Sequence, residues 1–316
     1  MIQLRRLGSS DLKIAPLVLG GNVFGWTADR AASFAVLDAF VDGGGTMIDT
    51  ADVYSAWVPG HRGGESETVI GEWLATGGRR DAVQIATKVG MLPGEGGEKL
   101  APARIAAACE ASLKRLGTDR IDLYFAHQDD EATPQEAVLE AFGRLVEAGK
   151  VRVVGASNFS AARLQSARET AIAAGLPSFQ VLQPEYNLVS RDKFEGELQD
   201  YCVEQDIGVV PYYGLASGFL TGKYRSRDDL GKSVRGGRMG DLLEGRGAAV
   251  LAAMDAVAEE TGATLAQIAL AWLMVQPGVT APIASATNAD QVRELVGAMT
   301  LDLSEDQLAR LTDAGR

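Results

Sequence analysis

The sequence predicts a parallel (β/α)8 barrel of the TIM type, formed as a single domain over residues 1–316. Eight short apolar runs alternate with longer segments of helical period, which is the pattern of repeated β-α-β units. The strand segments are mostly apolar, as in parallel sheets that are covered on both faces. No G-x-G-x-x-G motif follows a predicted strand, whereas an open doubly wound sheet that binds a dinucleotide is expected to carry one. The open sheet is the alternative fold.

The periodicity places the strands and helices in order along the chain. Strands are predicted over 15–20, 46–50, 82–88, 121–127, 151–157, 179–184, 207–213 and 279–284. Helices are predicted over 28–44, 66–76, 102–117, 134–149, 160–175, 191–205, 247–262, 264–276, 288–299 and 304–315. Ser66 is predicted as an N-cap, and Pro102 and Gly117 lie where helices commonly start and stop. The barrel therefore carries two helices in addition to the eight strand–helix pairs.

Composition and charge restrict the classes of function. The chain has 30 basic and 42 acidic side chains and a net charge of −12, which argues against binding to nucleic acid or to an anionic membrane surface. Cys109 and Cys202 lie in apolar helical segments and are predicted to be buried free thiols. With His61 and His127 as the two histidines of the chain, we expect no metal centre. We also expect a cytoplasmic protein, since no segment resembles a signal peptide or a membrane span.

Each predicted strand from the second to the seventh ends in a polar side chain. The carboxyl ends of parallel barrel strands meet at one rim, where the active sites of this fold lie. We therefore expect these side chains to come together in a functional site. They are Asp49, Lys88, His127, Ser157 with Asn158, Gln183 and Tyr212.

The charged members of this set predict acid–base chemistry. Asp49 and Lys88 are expected to pair, because a half-buried charge needs an opposite one. Tyr54 lies five residues beyond Asp49, within reach of Lys88, whose ammonium is expected to lower the phenol pKa from about 10. Tyr54 is then a proton donor for a developing alkoxide, and His127 a neutral donor that orients a carbonyl oxygen. Taken one at a time, these groups also fit structural roles: a rim ion pair, a buried histidine, or turn and cap residues.

Several ordered stretches resemble the aldo-keto reductase superfamily over nearly the whole chain. They are LGSSDLKIAPLVLGG, IDTADVY with GGESETVIGEWL, IATKVG, LKRLGTDRIDLYFAHQDD, GKVRVVGASNF, LQPEYNL, PYYGLASGFLTGKY and NADQVREL. The resemblance implies that residues 1–14 form a β-hairpin that plugs the bottom of the barrel. It also implies reduction of aldehydes and ketones, with Tyr54 as general acid, Asp49 and Lys88 as the pair that tunes its pKa, and His127 as the group that orients the carbonyl.

The same resemblance implies NADPH as the cofactor, with NADH as the open alternative. The nicotinamide is expected on Tyr212, with its carboxamide bonded to Ser157, Asn158 and Gln183. Residues 214–246 are expected to form a lid over the pyrophosphate, and the part from 223 to 238 carries six basic against two acidic side chains, a local charge of +4. The remaining implied contacts are Gly21, Asn22, Asp49, Tyr213, Gly214, Leu215, Ala216, Ser217, Gly218, Lys223, Arg235, Ser285, Thr287 and Gln291.

Two departures from the family pattern bear on specificity. Thr287 stands where many relatives carry an arginine suited to a 2′-phosphate, which leaves the choice between NADPH and NADH open. Asn22 stands where many members have tryptophan. A small carbonyl compound is the expected partner, and the sequence does not define the oligomeric state. The predicted substrate pocket consists of Asn22, Trp26, Tyr54, Trp57, His127 and Tyr213.

Two other functions are compatible with parts of the pattern. GASNF, LASGFLTGKY and NADQ also resemble the potassium-channel β-subunit branch, in which a bound cofactor can act as a redox sensor with slow turnover. A barrel aldolase that uses Lys88 as a Schiff-base amine needs an uncharged lysine, whereas Asp49 is expected to keep Lys88 charged. The predicted function is NADPH-dependent carbonyl reduction, and the redox sensor is the alternative.

Overall fold

The computed structural model describes residues 2–234 and 236–316, and over these ranges the chain forms a closed parallel barrel with a short hairpin before it. The strands are β1 (Arg5–Arg6), β2 (Lys13–Ile14), β3 (Val18–Gly20), β4 (Met47–Asp49), β5 (Gln84–Val89), β6 (Ile121–Ala126), β7 (Val151–Ser157), β8 (Val181–Gln183), β9 (Gly208–Val209) and β10 (Ile283–Ala284). Neighbouring strands of the sheet pair in the order β10-β3-β4-β5-β6-β7-β8-β9. The sheet closes because the Thr280 amide donates to the Val209 carbonyl and the Ile283 amide to the Pro211 carbonyl, each at 2.8 Å. The predicted (β/α)8 barrel is confirmed.

The α-helices pack against one another in chain order around the sheet. In the described ranges they are α1 (Arg30–Asp42), α2 (Glu65–Leu74), α3 (Pro102–Leu116), α4 (Gln135–Glu147), α5 (Ala161–Ala174), α6 (Glu197–Glu204), α7 (Arg246–Thr261), α8 (Leu265–Met274), α9 (Ala289–Gly297) and α10 (Glu305–Ala314). None of them combines the length and the apolar character that a membrane crossing requires. Cys109 and Cys202 are both buried free thiols, as predicted, and burial raises the pKa of each to about 12.

The strands predicted over 15–20, 179–184 and 207–213 are shorter in the structure, where they are β3, β8 and β9. Three further predicted boundaries are wrong for local reasons. The last strand, predicted over 279–284, is regular only over Ile283–Ala284 (β10), since Pro282 has no amide hydrogen to continue the hydrogen-bond ladder. Helix α6 begins at Glu197 rather than at residue 191, after Gly196 with a φ of +89°. Ser66 is not an N-cap: helix α2 starts one residue earlier, and the Ser66 side chain is buried inside the fold.

The hairpin closes the bottom of the barrel, as predicted. Its strands β1 and β2 pair antiparallel. Leu7, Leu12 and Ile14 are buried in one cluster with side chains of the barrel interior. The hairpin backbone meets β9 where Gly8 faces Gly208, and the Ser9 amide donates to the carbonyl of Asp206 at 2.7 Å.

Gly208→Ala is expected to destabilise the protein by about 2–3 kcal/mol, because the new methyl group has no space. A Cβ at this position lies 2.5 Å from the Gly8 nitrogen and 2.7 Å from the Leu7 carbonyl carbon. Urea denaturation measures the change. Gly231→Ala is the control, since a Cβ there has no heavy atom within 4 Å. Equal midpoints for the wild type and Gly208→Ala contradict this account of the hairpin contact.

Candidate active site

Lys88 is the centre of the polar cluster at the carboxyl ends of the strands. Its side chain is fully buried on β5. The ammonium donates to Asp49 Oδ2 at 2.7 Å, to the Thr50 carbonyl at 2.7 Å and to Tyr54 Oη at 2.9 Å. These bonds use all three hydrogens of the ammonium. The structure therefore brings the three predicted side chains together and adds the Thr50 carbonyl, a backbone acceptor that side-chain reasoning missed.

Local backbone contacts turn Tyr54 back over the rim. The Tyr54 amide donates to the Ala51 carbonyl at 3.2 Å, and the next residue, Ser55, has a φ of +70°. Ser66 supports this turn from helix α2, since its hydroxyl donates to the Gly21 carbonyl at 2.7 Å and bonds the Thr50 hydroxyl at 2.8 Å. The buried serine thus joins the ends of β3 and β4 beneath the site.

The pKa of Tyr54 shifts in the direction opposite to the expected one. Burial raises the pKa of Tyr54 well above its ordinary value, and the Asp49 carboxylate, 3.3 Å from the hydroxyl, raises this pKa further. The expected lowering of the Tyr54 pKa by Lys88 is therefore wrong, because loss of solvent disfavours the phenolate. Burial also lowers the pKa of Lys88, and Asp49 opposes that shift. Tyr54 consequently holds its proton at neutral pH.

His127 follows β6 and lies beside Tyr54, with a distance of 6.1 Å between the ring centroids. Burial lowers the pKa of His127 well below its ordinary value, and the Lys88 charge lowers it further. The imidazole is therefore neutral at pH 7, as predicted. Its Nδ1 atom is buried without a hydrogen-bond partner among the described residues.

A second set of bonds ties Asp49 to the far side of the barrel. The Gln183 amide nitrogen donates to Asp49 Oδ1 at 2.9 Å, so this oxygen faces β8 while Oδ2 faces Lys88. The Ser157 hydroxyl donates to the Gln183 carbonyl at 2.8 Å. Three predicted site residues from β4, β7 and β8 thus form one buried network.

Asn158 continues this network to the end of the seventh barrel strand. Its φ of +60° lies in the left-handed region, which asparagine tolerates better than most residues. This conformation lets its amide nitrogen donate to the His127 carbonyl at 3.0 Å and to the Ser157 hydroxyl at 3.1 Å. Its amide oxygen accepts from the Tyr212 hydroxyl at 2.8 Å. Asn158 therefore links the end of β6, through His127, to the segment after β9, through Tyr212.

Aromatic rings extend the site outward from Tyr54. Trp57 meets Tyr54 edge to face at 6.1 Å between centroids, and Trp26 meets Trp57 at 5.5 Å. Trp57 is 49% exposed and Tyr213 is 43% exposed, although both are large and apolar. We call the pair Trp57 and Trp26, which lies beyond Tyr54, the aromatic wall. The side-chain oxygen of Asn22, predicted at the cofactor and in the substrate pocket, accepts from the Ser285 hydroxyl at 2.7 Å.

The segment after β9 has an unusual backbone. Tyr213, Ala216, Ser217 and Gly218 all have positive φ, with values of 58°, 47°, 56° and 93°. Successive residues of this kind turn backbone amides toward a common point and create sites for anions. The Lys223 ammonium reaches the same place, because a Cβ at Gly218 would lie 2.9 Å from its Nζ atom.

The basic segment carries less free charge than the local count of +4 indicates. Arg225 forms a two-bond pair with Asp255, both bonds at 2.8 Å. In addition, Arg227 pairs with Glu244 at 3.1 Å and Lys232 with Asp229 at 2.7 Å. Among the described residues, Lys223 has no carboxylate within ion-pair distance. Arg235, predicted to close the lid, lies outside the described residues.

The start of α9 lies after the last barrel strand, next to the end of β3. Asn288 caps this helix by accepting from the Gln291 amide at 3.0 Å. The Thr287 amide and hydroxyl both donate to the Gln291 side-chain oxygen, at 2.9 and 3.2 Å. Ser285 reaches back to Asn22, so these predicted contacts form one continuous polar edge. Gly21 and Gly214 flank this edge, where a side chain has little room. A Cβ at Gly21 would lie 3.1 Å from the Asp49 carbonyl oxygen, and a Cβ at Gly214 would lie 3.2 Å from the Ile283 carbonyl oxygen.

Comparisons with known proteins show which family the chain belongs to. A model of the aldo/keto reductase family matches residues 16–316. The uncharacterized oxidoreductase YrpG of Bacillus subtilis is 34% identical over 314 residues, covering 97% of this chain and 94% of that protein. A probable voltage-gated potassium channel subunit beta of Arabidopsis thaliana is 31% identical over 93% of this chain and 90% of its own. Norsolorinic acid reductase of Aspergillus flavus is 30% identical over 97% of this chain and 79% of its own. The chain therefore belongs to the aldo/keto reductase family and is an oxidoreductase.

Proposed function

We propose that the protein reduces aldehydes and ketones to alcohols with NADPH, using Tyr54 as the general acid. The observation that carries this proposal is the geometry at the phenol oxygen. Tyr54 Oη accepts a bond from Lys88 at 2.9 Å and donates a long bond of 3.3 Å to Asp49 Oδ2, so its hydrogen turns from Asp49 to reach a ligand. Asp49 holds the ammonium in place from 2.7 Å.

The residues of the site have separate roles in this reaction. Tyr54, protonated at neutral pH, gives its proton to the carbonyl oxygen as negative charge develops there. Lys88 stabilises the phenolate that remains, at a contact that is already formed before the reaction. Neutral His127, with its proton on Nε2, donates to the same carbonyl oxygen and fixes its orientation. Proton transfer in this reaction requires the Tyr54 hydroxyl hydrogen to turn from Asp49 Oδ2 toward the carbonyl oxygen.

The rim residues fit a nicotinamide group. Ser157, Asn158 and Gln183 place hydroxyl and amide groups side by side at the ends of β7 and β8, which suits a carboxamide. The Tyr212 ring lies beside them, fixed through its hydroxyl bond to Asn158. When bound, the cofactor supplies the hydride that reduces the carbonyl carbon.

The edge around α9 fits the remainder of a dinucleotide. The positive-φ segment after β9 and the Lys223 ammonium suit a pyrophosphate. The polar edge of Ser285, Thr287 and Gln291 at the helix start suits the adenosine end, where the Ser285 and Thr287 hydroxyls exchange their bonds to Asn22 and Gln291 for bonds to a 2′-phosphate. This arrangement supports NADPH without an arginine at position 287.

Fluorescence titration with NADPH and NADH, followed by assays with a panel of aldehydes, tests the proposal. We expect NADPH to bind at least about tenfold more tightly and most aldehydes to be reduced, since one phosphate contact contributes about 1.4 kcal/mol or more. Equal affinities contradict the choice of NADPH. Tight binding with negligible turnover across the whole panel instead supports a redox sensor, the function that the similarity to the channel beta subunit favours.

Arg235→Ala is expected to weaken the binding of NADPH more than that of NADH, because the lid arginine faces the 2′-phosphate in this proposal. The same pair of titrations measures the effect. Arg227→Ala is the matched control, since Arg227 belongs to the same segment but is paired with Glu244. If Arg235→Ala weakens the binding of both cofactors equally, Arg235 does not bind the 2′-phosphate.

A further inference from the structure

Arg104 lies near the start of α3, outside the network described above, and bonds two loops at once. Its Nε donates to the Leu92 carbonyl at 3.0 Å and its Nη1 to the Glu95 carbonyl at 3.2 Å. Its Nη2 pairs with Asp52 Oδ2 at 3.3 Å. The Arg104 side chain is 7% exposed and the Asp52 side chain is fully buried. One guanidinium thus connects the loop after β4 with the loop after β5.

These two loops also pack directly on each other. We call residues 50–64 the Tyr54 loop and residues 90–101 the β5–α3 loop. A Cβ at Gly63, which has a φ of +92°, would lie 2.7 Å from the Asp52 carbonyl and 2.8 Å from Leu92 Cδ2. A Cβ at Gly94 would lie 2.7 Å from the Arg104 guanidinium. The glycines allow the β5–α3 loop to lie against the Tyr54 loop and against Arg104.

Asp52 depends on Arg104 for its charge. Its Oδ1 atom has no partner among the described residues, so within that part of the chain Arg104 donates the one side-chain hydrogen bond that this buried carboxylate accepts. Burial raises the pKa of Asp52 to about 7, the Glu67 charge raises it too, and Arg104 with Arg115 opposes the shift. The groups that face Asp52 are Glu67 of α2, Arg104 and Arg115 of α3, Lys88 of β5 and Tyr124 of β6.

Tyr54 and Trp57, both in the Tyr54 loop, are held differently. Tyr54 itself is fixed by Lys88 and Asp49, whatever happens at Arg104. Trp57 is 49% exposed and forms edge contacts with Tyr54 and Trp26. Loss of the Arg104 bonds is therefore expected to loosen the aromatic wall and to leave the proton donor in place.

We propose that Arg104 is a positioning residue that joins the Tyr54 loop to the β5–α3 loop and so fixes the aromatic wall against which bulky aromatic carbonyl compounds bind. This role rests on the proposed carbonyl reduction. It assigns Arg104 to substrate selection by size rather than to proton or hydride transfer. Lysine cannot replace it, because a single ammonium does not reach three acceptors spread over the plane of a guanidinium.

Steady-state kinetics of Arg104→Lys with two substrates test the role. For 2-naphthaldehyde we expect KM to rise about tenfold, since the binding free energy of the lost aromatic contacts corresponds to about a tenfold change in affinity. For propanal, which is too small to reach the wall, we expect kcat and KM within about twofold of the wild type. Equal losses for both aldehydes contradict the proposal.

Arg80→Lys is the matched control for a buried arginine with several acceptors. Arg80 pairs with Asp122 at 2.7 Å and donates to the carbonyls of Val83 and Arg120 at 3.0 and 2.9 Å, at the opposite end of the barrel. Its substitution is expected to lower stability and to leave KM for 2-naphthaldehyde unchanged. A similar rise in KM in Arg80→Lys shows that general loosening, and not the position of Arg104, causes the effect.

The pH dependence gives an independent readout. Below about pH 7 Asp52 takes up a proton and its pair with Arg104 weakens, so kcat/KM of the wild type for 2-naphthaldehyde is expected to fall as the pH falls through 7. Asp52→Asn is expected to have a lower and flat profile over pH 6–8. An unchanged pH profile in Asp52→Asn overturns the proposal.

Hydrogen–deuterium exchange separates this role from the proposed function. The Gly94 and Gly97 amides bond each other's carbonyls at 2.9 and 3.0 Å within the β5–α3 loop. Their exchange is expected to become at least about tenfold faster in Arg104→Lys. If the wild type reduces no aldehyde, the proposed function fails while this measurement still tests the loop connection. Unchanged exchange at both amides refutes the connection whatever the turnover.

Discussion

Tyr54→Phe is expected to lower kcat for aldehyde reduction by about 10³-fold, because a general acid of this kind contributes about 10² to 10⁴. The change removes one oxygen, the atom that accepts from Lys88 at 2.9 Å. Cofactor affinity is expected to stay within about twofold, since the proposed cofactor contacts lie on β7, β8 and α9. Single-turnover kinetics with NADPH and an aromatic aldehyde measure the chemical step, and fluorescence titration measures the affinity.

Tyr213→Phe is the matched control for this change. Tyr213 lies at the same rim, and its ring meets that of Tyr212 at 5.0 Å, but no hydrogen bond joins its hydroxyl to Lys88 in the described structure. We expect its kcat within about threefold of the wild type. Retention of more than a tenth of the wild-type kcat in Tyr54→Phe removes Tyr54 from the role of general acid.

Lys88→Met is expected to reduce both activity and stability. Removal of one partner from a buried ion pair costs about 3–5 kcal/mol, because the other charge is left without compensation. Asp49 is that partner, and it keeps only the Gln183 bond and the weak Tyr54 contact. Urea unfolding measures the loss of stability, and steady-state reduction of an aldehyde measures the loss of activity.

The double variant Asp49→Asn/Lys88→Met separates the two effects. Its buried groups are neutral, so we expect most of the lost stability to return. Activity is expected to stay at least about 10²-fold below the wild type, because the phenolate of Tyr54 has no cation beside it. Recovery of activity together with stability argues that Lys88 has a purely structural role.

The barrel and the polar rim could be predicted from the sequence because they depend on order along the chain. Parallel strands end at one edge, so the polar residues that close β4, β5, β6 and β8 had to meet there. The pairing of Lys88 with Asp49 follows from their positions on neighbouring strands. The residues at the ends of strands are therefore the part of the site that is best predicted from the sequence.

The parts that sequence did not define depend on burial and on distant partners. The upward shift of the Tyr54 pKa comes first from loss of solvent, which a residue pattern does not measure. Asp255 and Glu244 neutralise Arg225 and Arg227 from outside the segment in which charge was counted. Arg104 lies in a helical stretch whose sequence does not distinguish it. Its role depends on hydrogen bonds to Leu92 and Asp52, in two loops that are distant from each other in sequence.

The three bonds on the Lys88 nitrogen have a consequence for the lifetime of the protein. A site that receives aldehydes exposes its own amines to condensation with them, which inactivates the catalyst. Lys88 escapes this damage because its side chain is fully buried and every ammonium hydrogen is engaged, so no lone pair is available to attack a carbonyl. In the proposed carbonyl reduction, the arrangement that stabilises negative charge on Tyr54 thus also protects Lys88 from the aldehyde substrate.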